Sequence, residues 1–502
     1  MCRVSVHGNN ATAASPAIAP GADEINVAAF AKELGQELRA RGLDPRVTRH
    51  IPAMDAPYFQ AGLAGYSDAA MRIIARRHGC PLAVTEALLD RMLLGGGRGF
   101  DKADLQLLAE AIPSSSEDQP LLGQIIGSDP DEMAAAALKM IEQAARGDKV
   151  YRAMAYPEGQ GPTSTDPRWK GHATDSAGSS GAADAADAAD ACEDDCTPAS
   201  LLALANQQPP EQYDPRAVTL PARPSARSGA PRGTHSANAI SSAGATVNAL
   251  QTASASPATA TNNGPGLTYA SIDVNLACPV KKIDRKSRGG HWLREPQGAL
   301  EILKAVRQAV PAHVPCTVKL RRAYDDTPEM ARNFEVIFVG AYELGYAFAT
   351  VHARTVEQKY IGPSRWTFLK DLCERHGDKP VFGSGDVWNV HDIFRMIAYT
   401  GVSAVSVARG CIGNPWIFHQ ARQMLAGDAP TLPTIAQQRA VLHEHFALSV
   451  ALNGEQNAGR MMRKFGIKFA QHHPQREQVQ HAFIAVSALD SWKHVLDEWY
   501  AG

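Results

Sequence analysis

The sequence predicts an α/β fold of the (β/α)8 barrel type, a TIM barrel, and three observations carry that expectation. Short, apolar, β-branched segments alternate with amphipathic helical ones, the pattern of a parallel sheet covered by helices. Eight such strands can be counted: Tyr58–Leu63, Leu82–Glu86, Leu121–Ile126, Ser271–Asn275, Cys316–Leu320, Phe348–His352, Pro380–Ser384 and Ala404–Ala408. Eight βα units favour a closed barrel over an open doubly wound sheet. Polar residues also collect at the C-terminal tips of six strands, the end where barrel enzymes hold their chemistry.

The helices between the strands read as Asp68–His78, Pro130–Ala145, Pro296–Val310, Pro328–Leu344, Arg365–Arg375, Val390–Tyr399 and Pro415–Leu425. Several open on Asp or Pro, residues suited to a cap or a first turn. The barrel is expected to span residues 51–157 and 266–425. Between them, residues 158–265 are rich in Ala, Ser, Thr, Pro and Gly, and such a stretch buries too little apolar area to offset its ordering entropy. A disordered insertion is expected there, entering on the N-terminal face, away from the strand tips. Residues 1–50 read as a polar extension ending in one helix, Ala28–Arg41. Past residue 425 the strand pattern stops, and helices Ile435–Leu452, Glu455–His472 and Gln475–Tyr500 suggest a small helical domain over residues 426–502.

Composition sets limits on function. The formal charge of −2 over 502 residues gives no global attraction to polyanions, so binding of nucleic acid has to come from local clusters. The eight cysteines form no regular framework, and the closest pair, Cys192 and Cys196, has no histidines at ligand spacing, so no metal is expected. No run approaches the ~18 apolar residues of a membrane span, and the first residues lack a basic leader with an apolar core. A cytoplasmic protein without membrane partners is expected. The sequence does not determine an oligomeric state; a monomer is the expectation.

The segment Asn275-Leu276-Ala277-Cys278-Pro279 ends a strand with a thiol, and Lys281, Lys282, Arg285, Lys286 and Arg288 follow at once. Taken singly, a cysteine is more often a small buried hydrophobe and a basic run a solvated face. Together, beside a proline turn that lifts the thiol out of the sheet, they suggest chemistry next to a phosphate-binding surface. The adjacent cations are expected to pull the thiol pKa down. The other strand tips carry Gln124, Lys319, His352, Ser384-Gly385-Asp386 and Ala408-Arg409-Gly410. Lys319 sits in an apolar run and needs an anionic partner. The two glycine turns after the seventh and eighth strands suit a phosphorylated cofactor such as FMN. On the last helices, Arg460, Arg463, Lys464 and Lys468 recur at helical spacing, a stripe open to two readings, phosphate contact or solvated face.

The motifs Ala61-Gly62-Leu63-Ala64-Gly65-Tyr66-Ser67-Asp68, Gln124-Ile125-Ile126-Gly127-Ser128-Asp129-Pro130, the Asn275 to Lys282 segment, Val351-His352-Ala353-Arg354-Thr355 and Arg409-Gly410-Cys411-Ile412-Gly413-Asn414-Pro415-Trp416 occur in order. In these the chain resembles the tRNA-dihydrouridine synthases of bacterial type, FMN-dependent barrel enzymes with a helical tRNA-binding domain. The resemblance implies that FMN rests on Gly62, Leu63 and Ala64, contacts Gln124, Lys319 and His352, and sets its phosphate against Ser384, Gly385, Asp386, Ala408 and Arg409. It implies that NADPH (or NADH) is the reductant, that hydride goes to C6 of a uridine in tRNA, and that Cys278 gives the proton to C5. Asn275 and Arg354 would aid extrusion of the base. Lys281, Lys282, Arg285, Arg463 and Lys464 are the candidate tRNA contacts. The sequence departs from the family at Gly62 and Leu63, where Pro-Met is usual, at Ser384, where Asn is usual, and at His291 and Trp292, where small residues are usual. Two alternatives share much of this pattern: an FMN-dependent reductase of a free pyrimidine, and a catalytically silent tRNA-binding homologue.

Overall fold

A computed structural model describes residues 26–94, 116–151 and 268–501 of the protein. The insertion at 158–265 and the pair Cys192 and Cys196 lie outside the described residues. Among the described residues nine parallel strands are present: β1 Tyr58–Gln60, β2 Ala83–Val84, β3 Leu88–Leu89, β4 Leu121–Ile126, β5 Ser271–Leu276, β6 Cys316–Arg321, β7 Ala349–His352, β8 Val381–Ser384 and β9 Ala404–Val407. β1 pairs with both β9 and β2, and β2 pairs with β4, so the sheet closes into an eight-stranded (β/α)8 barrel. The short β3 lies further along β4, with Leu88 opposite Ile125, and extends the second stave past an irregular stretch. Each expected strand is therefore found.

Local chemistry starts the helices where the sequence suggests. Asp68 accepts the Met71 N–H at 2.8 Å to open helix Ala69–Arg77. Thr327, followed by a proline at the first helical position, opens Pro328–Glu343. Asn389 and Asp392 form a capping box that opens Val390–Thr400. Beyond the barrel, helix Ile435–Phe469 is broken at Gly454, whose φ of +74° falls between the two helices expected there. The expected helix Gln475–Tyr500 is instead two, Arg476–Ile484 and Leu489–Trp499. The interruption has a local cause, since the Ser491 hydroxyl accepts the N–H groups of Ser487 and Ala488 and starts a new helix.

The N-terminal end of the barrel is sealed. Leu43, Val47, Ile51 and Met54 pack beneath Phe59, Phe348 and Phe382 in one buried apolar cluster. The described part of the N-terminal extension is held nearby, where helix Val27–Arg41 lies against Trp416–Ala426 and Arg39 donates to the Leu425 carbonyl at 3.1 Å. Among the described residues no helix is long and apolar enough to cross a membrane.

Candidate active site

The C-terminal end of the barrel is open. A pocket there encloses about 1040 Å3 of atom-free space, open solvent at its mouth included. It brings together Gly62, Leu63, Ala64, Gln124, Asn275, Cys278, Lys319, His352, Ser384, Gly385, Asp386, Ala408 and Arg409. These side chains come from seven strands, and closure of the ring is what makes them neighbours.

Beneath the mouth runs a chain of hydrogen bonds. Thr317 Oγ1 donates to Asp273 Oδ1, Gln124 Nε2 donates to Asp273 Oδ2, and Asn275 Nδ2 donates to Gln124 Oε1, each at 2.7 Å. The amide of Gln124 is thereby locked in one orientation. Asn275 Oδ1 accepts the N–H groups of Ala277 and Cys278 at 2.9 and 3.2 Å. Asn275 thus shapes the turn that carries the thiol, and only one Nδ2 hydrogen is left for anything in the pocket. Gly290 donates its N–H to the Cys278 carbonyl at 3.0 Å, closing the turn from the other side.

The electrostatics differ from the sequence expectation at the thiol. Burial pushes the Cys278 pKa above its ordinary value, and the opposing pull comes from the Val280 N–H, Lys319 and Arg321 rather than from the basic run. Lys281 and Arg285 are exposed, where solvent screens them. The predicted lowering is overturned because desolvation acts at the sulfur while those charges sit in water. Burial also pulls Lys319 below the ordinary lysine range, and the buried Asp273 carboxylate opposes the shift as the anionic neighbour a lysine here requires. His352 is held well below its ordinary value by burial and by Arg321 and Arg354. Its Nδ1 accepts the Arg354 N–H at 3.2 Å, so the neutral ring carries its proton on Nε2.

Comparison with known proteins decides the family. A family model, dihydrouridine synthase (Dus), matches residues 230–500, more than half of the chain. The chain belongs to the dihydrouridine synthase family. It is 35% identical over 230 residues to a probable tRNA-dihydrouridine synthase of Treponema pallidum, covering 44% of this chain and 66% of the relative. A probable tRNA-dihydrouridine synthase of Mycobacterium leprae is 32% identical over 222 residues, with coverages of 44% and 57%. The tRNA-dihydrouridine synthase B of Shewanella oneidensis is 32% identical over 203 residues, with coverages of 40% and 59%. The matched part thus spans between 57% and 66% of the length of these relatives.

Within this dihydrouridine synthase fold, some expected site residues lie elsewhere. Arg354 is fully buried, donating to both Asp386 oxygens at 2.7 Å and to the Gly362 carbonyl. It does not line the pocket, and its charge is spent inside the protein. Asp386 also accepts the Ser364 N–H at 2.7 Å, and Arg409 lies 3.6 Å away. Its carboxylate is an internal hub. Of the basic run, Lys281, Arg285 and Lys286 are exposed, whereas Arg288 is 5% exposed and pairs with Asp90 at 3.4 Å. The side chain of Lys282 lies outside the described residues. Arg463 is half-buried on helix Ile435–Phe469, and the neighbouring Lys464 reaches the barrel. Trp292 is a packing residue, buried with its Nε1–H on the Gly127 carbonyl at 3.2 Å.

Sequence reasoning missed Arg321, Tyr360, Trp388 and Ser406, all of which line the pocket. Arg321 and Ser406 carried a signal: Arg321 is two residues past Lys319 on β6 and so on the same face, and Ser406 lies on the inward column of β9. Tyr360 and Trp388 come from loops after β7 and β8, and Arg409 lies over both rings, 4.9 and 4.4 Å from their centroids. No periodicity marks a loop residue. Among the described residues no group of three or more His, Cys, Asp or Glu could hold a metal ion.

Proposed function

We propose that the protein is a tRNA-dihydrouridine synthase that reduces the C5=C6 bond of a uridine with FMN as resident cofactor and NADPH (or NADH) as reductant. The observation that carries this is a thiol, Cys278, set in the wall of the pocket at the C-terminal end of the barrel with Lys319 and Arg321, next to an exposed basic run. The residues fit a flavin phosphate. A Cβ on Gly385, whose φ is +117°, would lie 2.2 Å from Ser364 Oγ, so the turn after β8 keeps its backbone bare. Trp388 Nε1 is a buried donor without a hydrogen-bond partner on the same side. Ser384, Gly385, Ala408 and Arg409 would hold the phosphate, while the Asp386 carboxylate, engaged by Arg354, holds the turn in shape. Gly62, Leu63, Ala64, Gln124, Lys319 and His352 would hold the ring.

When bound, FMN supplies the hydride for C6, recharged by NADPH. The protein supplies the rest. Cys278 gives its S–H proton to C5, which balances the addition across the double bond. A thiol kept protonated by burial is a general acid in the correct state at neutral pH. Lys319 and Arg321 then stabilise the thiolate until solvent returns a proton. The neutral His352 offers Nε2–H as a donor. The uracil has to leave its stack to enter the pocket. Lys281, Lys282 and Arg285 at the rim, with Arg463 and the helical residues 426–502, are the proposed tRNA surface, in a cytoplasmic setting.

The test is spectroscopic. The purified protein should be yellow, bleach with NADPH, and reoxidise on adding unmodified tRNA. Reoxidation by free uracil or orotate instead would favour a reductase of free pyrimidines and overturn the tRNA assignment.

A further inference from the structure

One wall of the pocket is the turn after β1, through Ala61, Gly62, Leu63 and Ala64. Its backbone is permissive, with glycine at positions 62 and 65 and Gly65 at a φ of +72°. Glycines leave a turn many unbound shapes, so holding one shape requires partners from elsewhere. Within the turn, Ser67 Oγ accepts the Leu63 N–H at 2.7 Å. From beyond β2, Glu86 accepts the Gly65 N–H at 2.8 Å. From helix Ile435–Phe469, Lys464 donates its ammonium to the Gly65 carbonyl, 399 residues away in sequence. The ammonium also lies 4.8 Å from the Tyr66 ring centroid, and Tyr66 meets Phe465 edge-on at 5.5 Å. Burial raises the pKa of Glu86 and of Asp68, and Lys464 opposes both shifts, so all three charges belong to one cluster. A carboxylate therefore takes the N–H of Gly65 and an ammonium takes its C=O.

We infer that Lys464 is a positioning residue for the pocket: with Glu86 it clamps Gly65 and holds the Gly62 to Ala64 wall in its flavin-binding shape. The inference rests on the FMN reading above and deepens it. It also withdraws Lys464 from the tRNA-phosphate role that its place in the basic stripe suggested. The helical part of the chain thereby contributes to cofactor affinity through a side chain that does not line the pocket.

The test uses the full chain, stripped of flavin and titrated with FMN by fluorescence quenching, and tRNA binding at several salt concentrations. Lys464→Met should weaken FMN binding roughly tenfold, the scale of one charge-assisted hydrogen bond. The salt dependence of tRNA affinity should stay at the wild-type slope, and turnover should recover at saturating FMN. Lys464→Arg, which keeps a cationic donor, should restore most of the affinity. Glu86→Gln tests the clamp from the barrel side if Lys464→Met fails to fold, and should weaken FMN binding in the same direction. Wild-type FMN affinity in Lys464→Met, or in Glu86→Gln where it stands in, would overturn the inference, as would a shallower salt slope with unchanged FMN binding. Wild-type protein that binds no FMN would instead overturn the cofactor reading itself.

Discussion

At its floor the barrel is closed by Phe59, Phe348 and Phe382, with Phe348 and Phe382 stacked at 4.0 Å; its mouth presents Gln124, Lys319, His352 and Ser384. The change happens within two to four residues of one inward-facing column. On β8 Phe382 gives way to Ser384, and along β7 Phe348 gives way to Thr350 and then His352. Alternate residues of a strand share a face, so these two staves carry an apolar lower rung and a polar upper one. On these staves stability and chemistry occupy the same column at different heights, which lets each be altered separately.

The largest expected effect is at the mouth. Cys278→Ala should lower dihydrouridine formation by about 10²- to 10⁴-fold, the range of a missing general acid, while FMN binding and the melting midpoint stay near wild type. Quantifying dihydrouridine in tRNA under single-turnover conditions checks this, and a variant that also melts early would show that the two ends are not separable.

At the floor, Phe382→Ala should cost about 3–5 kcal/mol of stability, the usual penalty for a truncated buried aromatic. Denaturant unfolding measures it. The folded fraction should keep its pocket thiol and its flavin affinity; loss of either at full folding would mean that the floor tunes the site.

A pH profile sharpens the account of the thiol. Burial raises the pKa of Cys278, so the acid form persists upward in pH. The rate of proton donation should be flat through neutrality and fall about tenfold per pH unit only beyond a point above the ordinary thiol range. Alkylation of Cys278 should show the mirror image, slow at neutral pH and rising at the same point. A thiol already reactive at neutral pH would restore the influence of the basic run.

The smallest effect belongs to the rim. Lys281→Ser and Arg285→Ser should each reduce tRNA affinity only a few-fold, with the slope of log affinity against log salt falling by roughly 0.7–0.9 for each phosphate that the variant no longer neutralises. Filter binding across a salt series checks it. An equal reduction for Arg288→Ser without unfolding would be unexpected, because that guanidinium is committed to Asp90.

Much of the fold was legible along the chain itself. Strand positions followed from β-branched runs, helix starts such as Asp68 and Pro328 from cap and first-turn residues, and the break at Gly454 from the end of one helical period and the start of another. Cys278, Lys319 and His352 were identifiable because each is a polar residue at the tip of an apolar strand. Charged side chains were misjudged where their partners are remote. Arg354 finds Asp386 32 positions away, and Arg288 finds Asp90 198 positions away.

Most elements, their order and the polarity of the strand tips could be read along the chain, because propensity, capping and two-residue alternation act over a few neighbours. Only the tertiary structure decided which cations face water, that burial outweighs the basic run at the thiol, and that Lys464 turns toward Gly65. Solvation and pairing of a charge depend on groups brought together by barrel closure, and no local pattern along the chain encodes them.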